Sequence, residues 1–151
     1  MAYNYSYDNY NKESMARASV VNASISLKKS VEVARHLRGK KLSYAISILE
    51  GVIEKKTVVP YRRFKAEMAH QRGKGIDTGG YPVNVAKEVL KLLKSAQKNA
   101  SERELGDKLY VLAISARQGN ARYHYGRSAG TRMKSTNFEV VVGPKPEVAK
   151  K

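Results

Sequence analysis

Between residues 108 and 138 the chain carries no Asp or Glu, yet it holds Lys108, Arg117, Arg122, Arg127, Arg132 and Lys134. Two runs rich in β-branched and apolar residues bound the stretch, Leu109–Ala116 (LYVLAISA) and Phe138–Val142 (FEVVV), and both read as strands. The roughly 20 residues joining them are too many for a structureless loop in a compact domain. The two runs are therefore expected to continue outward as one long antiparallel hairpin turning near Tyr125–Gly126–Arg127. Each arm would have about 16 residues and span roughly 50 Å. The four arginines recur every five residues, about 17 Å apart in extended chain, and an odd step puts neighbours on opposite faces. That spacing exceeds the Debye length of about 8 Å at physiological salt, so their mutual repulsion is modest. Few apolar residues lie past Ala116, and an isolated two-stranded ribbon is marginal in water. The ribbon is expected to be mobile alone and ordered by a partner.

The rest of the charge points the same way. Over 151 residues, 29 Lys+Arg stand against 13 Asp+Glu, a formal net charge of +16. Such an excess repels itself in a compact fold and favours a polyanion, nucleic acid first and anionic membrane second. A second basic segment, 55–74, holds Lys55, Lys56, Arg62, Arg63, Lys65, Arg72 and Lys74 against Glu67 alone, with Pro60 inside it and glycines after it. It reads as a basic surface loop. No apolar run approaches the roughly 20 residues that span a bilayer. No basic amphipathic helix carries bulky aromatics on its apolar face. The opening residues do not form a secretory leader, so secretion is not expected.

Three apolar stripes predict three helices. Leu27, Val31, Ala34 and Leu37 form the first, with Ser26 placed as N-cap and Gly39 as a stop. Leu42, Ala45, Ile46, Leu49, Val52 and Ile53 form the second. The third opens at Pro82 and runs through Val83, Ala86, Val89, Leu90, Leu93, Ala96 and Ala100, with Lys87, Lys91, Lys94 and Lys98 on other faces. A further strand is expected at Ser19–Ser26. Residues 1–11 form an N-terminal arm in which Tyr3, Tyr5, Tyr7 and Tyr10 either stack on a partner or fold back on the domain. The chain then divides into that arm, a body of 12–116 and 136–143, a hairpin of 117–135 and a tail of 144–151.

Nothing in the pattern supports catalysis. Cys is absent, which removes disulfides, thiolate zinc sites and thiol nucleophiles. His36, His70 and His124 share no metal-ligand spacing. Gly73-Lys74-Gly75 lacks the G-x-x-x-x-G-K-[ST] spacing and the preceding strand of a phosphate-binding loop. No G-x-S-x-G turn is present, and Asp77 stands as a lone loop carboxylate. No enzyme activity, cofactor or metal is expected.

The string Ser26–Gly39 (SLKKSVEVARHLRG) resembles the S-P-K-K-x-x-x-x-A-R-x-[IL]-R-G signature of the large-subunit ribosomal protein twenty-two family, called seventeen in eukaryotes. Leu27 stands where that family usually has Pro. Leu42–Leu49 (LSYAISIL) is similar to the family's A-[IL]-x-x-L helix. Val59–Phe64 (VPYRRF), Tyr81–Leu93 (YPVNVAKEVLKLL) and the 60–82 insertion resemble the archaeal and eukaryotic branch. Arg127–Gly130 (RSAG) and Thr136–Val142 (TNFEVVV) resemble the return arm of the family hairpin.

The resemblance implies an α+β fold, three helices packed on a three-stranded antiparallel sheet with a long protruding β-hairpin. It implies a cytoplasmic structural constituent of the large ribosomal subunit that binds its RNA, supports assembly and lines the nascent-peptide exit tunnel. The partners implied are large-subunit ribosomal RNA, neighbouring proteins including the tunnel protein L-four, and the nascent peptide. RNA-binding candidates are Lys28, Lys29, Arg62, Arg63, Arg72, Lys74, Arg117, Arg122, Arg127, Arg132 and Lys134. Tyr123, His124 and Tyr125 are the tip candidates for facing the tunnel. The charge alone also fits a free nucleic-acid-binding protein of chromatin or of regulatory RNA, which should bind duplex DNA comparably.

Overall fold

The computed structural model describes residues 5–73, 75–106, 108–120 and 122–145. Its elements run β1 (Ala16–Ala23), α1 (Leu27–Leu37), α2 (Leu42–Ile53), β2 (Val59–Pro60), β3 (Gly79–Gly80), α3 (Val83–Ser101), β4 (Tyr110–Gln118) and β5 (Thr136–Gly143). The main sheet has the order β1-β5-β4 with both pairings antiparallel, and β2 pairs β3 in a separate two-stranded ladder. Three helices beside a three-stranded antiparallel sheet make this an α+β fold.

Alternation along β5 sorts its side chains. Phe138, Val140 and Val142 join one core with Ala16 and Ala18 of β1, Val111 and Ile114 of β4 and most of the helices' apolar stripes, with Val33, Ile48, Val85 and Leu92 added and the half-buried Val31 and Val83 left out. Leu37, Leu49 and Leu93, one from each stripe, are fully buried. On the lysine side of α3, Lys87, Lys91, Lys94 and Lys98 are all exposed.

Two expectations shift and one holds. The first strand begins three residues earlier than read, at Ala16, because the small Ala16 and Ala18 face the core. It ends where Asn22 adopts φ 56° and the β1–β5 register slips between Val20 and Ala23. Ser26 occupies the N-cap of α1, but its side chain makes no capping bond. Gly39 does close α1 at φ +77°, and its N–H donates to the Val111 carbonyl at 2.8 Å, tying the helix end to β4.

The joining segment also differs from an unbroken ribbon. The β4–β5 ladder stops at Gln118↔Thr136. Beyond it, pairing is intermittent: Gly119 N–H to Ser135 O at 3.0 Å, Met133 N–H to Arg122 O at 2.7 Å, His124 N–H to Thr131 O at 3.0 Å, and a bridge Tyr123↔Arg132. The reversal lies at a 3-10 turn, Gly126–Ser128, beside the expected one. Polar residues with little to bury do not sustain a full ladder.

The N-terminal arm, as described from Tyr5, folds back on the domain. The Arg17 guanidinium sits 4.4 Å from the Tyr5 ring centroid and 4.5 Å from that of Tyr10. Ser6 N–H donates to buried Glu139 at 3.2 Å, and Tyr5 hydroxyl to Ser19 Oγ at 3.3 Å. Glu139 belongs to the sheet face opposite the core, so these residues cover that face.

Candidate nucleic-acid interface

The base of the β4–β5 extension is fixed from β1. Asn22 Oδ1 accepts from Asn120 N–H at 2.9 Å and from Ser135 Oγ at 3.2 Å, while Asn22 N–H donates to Asn137 Oδ1 at 2.7 Å. Gly119 lies within this knot, where a Cβ would collide with Ser135 Oγ and the Asn22 amide. Past the knot, every residue from Arg122 to Arg132 is exposed. Arg127 sits in the 3-10 turn, and Arg122 and Lys134 are also on the surface. Arg132 Nε donates to Tyr123 hydroxyl at 3.0 Å, with its guanidinium 5.6 Å from that ring. Tyr125 is 90% exposed. Arg117, at the base, is 3.8 Å from Glu139, whose carboxylate already accepts from Ser115 Oγ at 2.6 Å.

The second basic segment is held by a carboxylate that sequence reading passed over. Glu32 on α1 is 1% exposed. Its Oε1 accepts from the backbone N–H of Arg63 and of Phe64, each at 2.7 Å, and its Oε2 from that of Arg62 at 3.1 Å. Burial alone would raise its pKa. The three N–H donors and nearby Arg35 outweigh burial and hold it below the ordinary carboxylate range. Such charge-assisted bonds fix the backbone and leave the Arg62 and Arg63 side chains exposed. The adjoining Tyr61 is buried, and burial together with the Glu32 charge pushes its hydroxyl up to about 12. His36 on α1 is held neutral at about 4 by burial, then by Lys40 and Arg62.

The sequence candidates form groups. Lys29 and Lys134, far apart in the chain, line one cleft with Ser26 and Pro82. Arg62 shares a larger cleft with Arg35 and Lys40, and Arg63 a third with Arg35 and Arg38. Lys28 and Arg72 are exposed, without a described ion pair. Lys74 lies outside the described residues. Asp77 is not alone: its Oδ1 lies 3.1 Å from His70 Nδ1, both side chains exposed. Arg35, Arg38 and Lys40 were missed as site residues. The signal was present in the helical spacing of Lys28 and Arg35 on α1 and Arg38 at its C-cap.

The described residues form a small sheet-and-helix body bearing grouped, exposed cations. The chain belongs to the family described as Ribosomal protein L22p/L17e, which matches residues 18–142. It is similar to large ribosomal subunit protein uL22 of Thermoplasma volcanium, 40% identical over 136 residues covering 86% of this chain and 90% of the relative. The protein of that name from Ignicoccus hospitalis is 39% identical, covering 87% and 89%. That from Methanosphaera stadtmanae is 35% identical, covering 92% and 95%. As a family member the chain is a structural constituent of the cytoplasmic large ribosomal subunit and not an enzyme. No helix among the described residues is long and apolar enough to cross a membrane.

Proposed function

We propose that this chain binds large-subunit ribosomal RNA, supports its assembly and lines the nascent-peptide exit tunnel with residues 117–135. The observation that carries this reading is the fully exposed run Arg122–Arg132, free of carboxylates and rooted by the Asn22 knot on the core. Arginines on small, Gly-punctuated backbone approach phosphates closely and fork onto them. Arg117, Arg122, Arg127, Arg132 and Lys134 take the RNA around the hairpin. Lys28, Lys29, Arg62, Arg63, Arg72 and Lys74 take RNA over the body. Tyr123, His124 and Tyr125 face the passing peptide, and L-four is the protein neighbour. The division into arm, body, hairpin and tail belongs to the same reading.

The test is co-sedimentation with large subunits through a high-salt wash, paired with RNA and DNA affinities at matched salt. Retention on the subunit and preference for RNA are expected. A protein found only in the free pool, or one that prefers duplex DNA, overturns the reading. Salt must be matched because each phosphate neutralised on B-DNA contributes about −0.9 to the salt slope.

A further inference from the structure

A cleft lies between α1, α2 and the segment following α2, and no residue of the β4–β5 extension lines it. Its volume is about 600 Å³, within the range of sites that enclose a small molecule. Its walls are of two kinds. Arg35, Lys40 and Arg62 supply cations, while Ile48, Val58, Pro60 and Ile76 supply apolar surface. Tyr44 on α2 lines the cleft and is 58% exposed, with the Lys40 ammonium 5.5 Å from its ring centroid. Glu32 contributes to the lining, but both of its oxygens are engaged by backbone N–H groups of the opposite wall. Three cations against one engaged carboxylate leave the cleft electropositive.

Duplex nucleic acid presents phosphates on a convex surface, with its bases stacked inside, and would meet the rim without using the apolar wall. A single-stranded nucleotide has both parts the cleft matches: a flat base that can be splayed out onto an aromatic ring, and a phosphate beside it. His36, also in the lining, is neutral at physiological pH and offers a base edge one donor and one acceptor. The Glu32 clasp matters here because it holds the Arg62 wall in place.

We infer that this cleft captures one unpaired RNA nucleotide, its base stacked on Tyr44 and its phosphates held by Arg35, Lys40 and Arg62. The inference rests on the RNA-binding reading above and adds a site specific for single strands. It separates two modes of binding in one protein: surface cations that follow RNA phosphates, and a concavity that selects an unstacked base.

The test uses the full chain and two fluorescent RNA probes at matched salt, a single-stranded hexamer and a blunt duplex of equal phosphate number. Tyr44 is surface-exposed, so Tyr44→Ala should leave the unfolding midpoint in place. Tyr44→Ala is expected to weaken hexamer binding about 10-fold, the scale of one lost base stack. Duplex binding should change less than twofold, and Tyr44→Phe should retain hexamer affinity. Arg35→Ala should weaken the hexamer as well. Unchanged hexamer affinity in Tyr44→Ala, or equal weakening of both probes, overturns the inference. An acidic peptide that displaces the hexamer as well as unlabelled RNA does would overturn it too. The broader ribosomal reading fails separately, through loss of subunit incorporation by the unmodified chain.

Discussion

Strand β5 and the residues just before it differ as sharply as neighbouring segments can. All of Thr136–Gly143 is buried except half-buried Asn137, whereas every residue of Arg122–Arg132 is exposed. β5 lies central in the sheet, with the core on one face and the N-terminal arm on the other. Its sequence is answerable to packing. Residues 122–132 touch one another and contribute nothing to the core, so packing does not account for their composition. Burial and charge thus separate what the chain needs in order to fold from what the proposed RNA contact would use, within a few residues of each other.

The largest way to break that contrast is on the buried side. Phe138→Ala removes a fully buried ring and should cost about 3–5 kcal/mol in denaturant unfolding. A cost near zero would mean that β5 is not the organising strand. Glu32→Ala should cost about 3 kcal/mol, because three backbone donors lose their acceptor in a buried setting. Glu32→Gln keeps one acceptor oxygen and should cost less. Equal stability of all three forms would show that the 61–64 segment is held by other means.

A pH titration sharpens the comparison further. His36 is depressed from 6.5 to about 4 in the folded protein. The unfolded chain therefore takes up this proton first as pH falls. Stability from a neutral His36 is complete above pH 6.5 and is lost as pH falls from 6.5 toward 4. Glu32, whose folded pKa is also lowered, adds a second loss only as pH falls below about 4.5. His36→Gln should flatten the 6.5–4.5 limb and leave the lower one. An unchanged profile would remove His36 from the account. The smallest effect is expected from deleting residues 118–135 with a short linker, which should leave cooperative unfolding within about 1 kcal/mol. Loss of cooperativity there would contradict the division into body and ribbon.

Much of the body is legible in the sequence alone. The stripes Leu27–Leu37, Leu42–Ile53 and Val83–Ala100 coincide with α1, α2 and α3, because a helix that buries one face writes its period into the sequence. The strands were legible in kind and less so in extent. β1 slid three residues because alanines at 16 and 18 do the packing, and alanine carries no strand signal. The Glu32 clasp was illegible for a different reason. One Glu in a basic helix looks like solvated surface, and its backbone partners lie about 30 residues away. The Asn22 knot is likewise a set of long-range polar contacts with no period to betray it, whereas the sequence left the tyrosine arm open between a partner and a fold-back, and Tyr5 and Tyr10 take the latter on Arg17. Of the candidate cations, those in the acid-free stretch and in the 55–74 segment stand out in the sequence, whereas Arg35, Arg38 and Lys40 do not. The grouping of the cations, Lys29 with Lys134 and Arg62 with Arg35, was not legible.

The central claim is that residues 122–132 serve the partner and not the fold. The most direct measurement pairs unfolding with large-subunit incorporation for the variant carrying Arg122→Ala, Arg127→Ala and Arg132→Ala. Stability is expected within about 1 kcal/mol of the parent, as for exposed side chains, with incorporation reduced at least 10-fold after a high-salt wash. Parent-like incorporation, or a large loss of stability in the free protein, would contradict that claim.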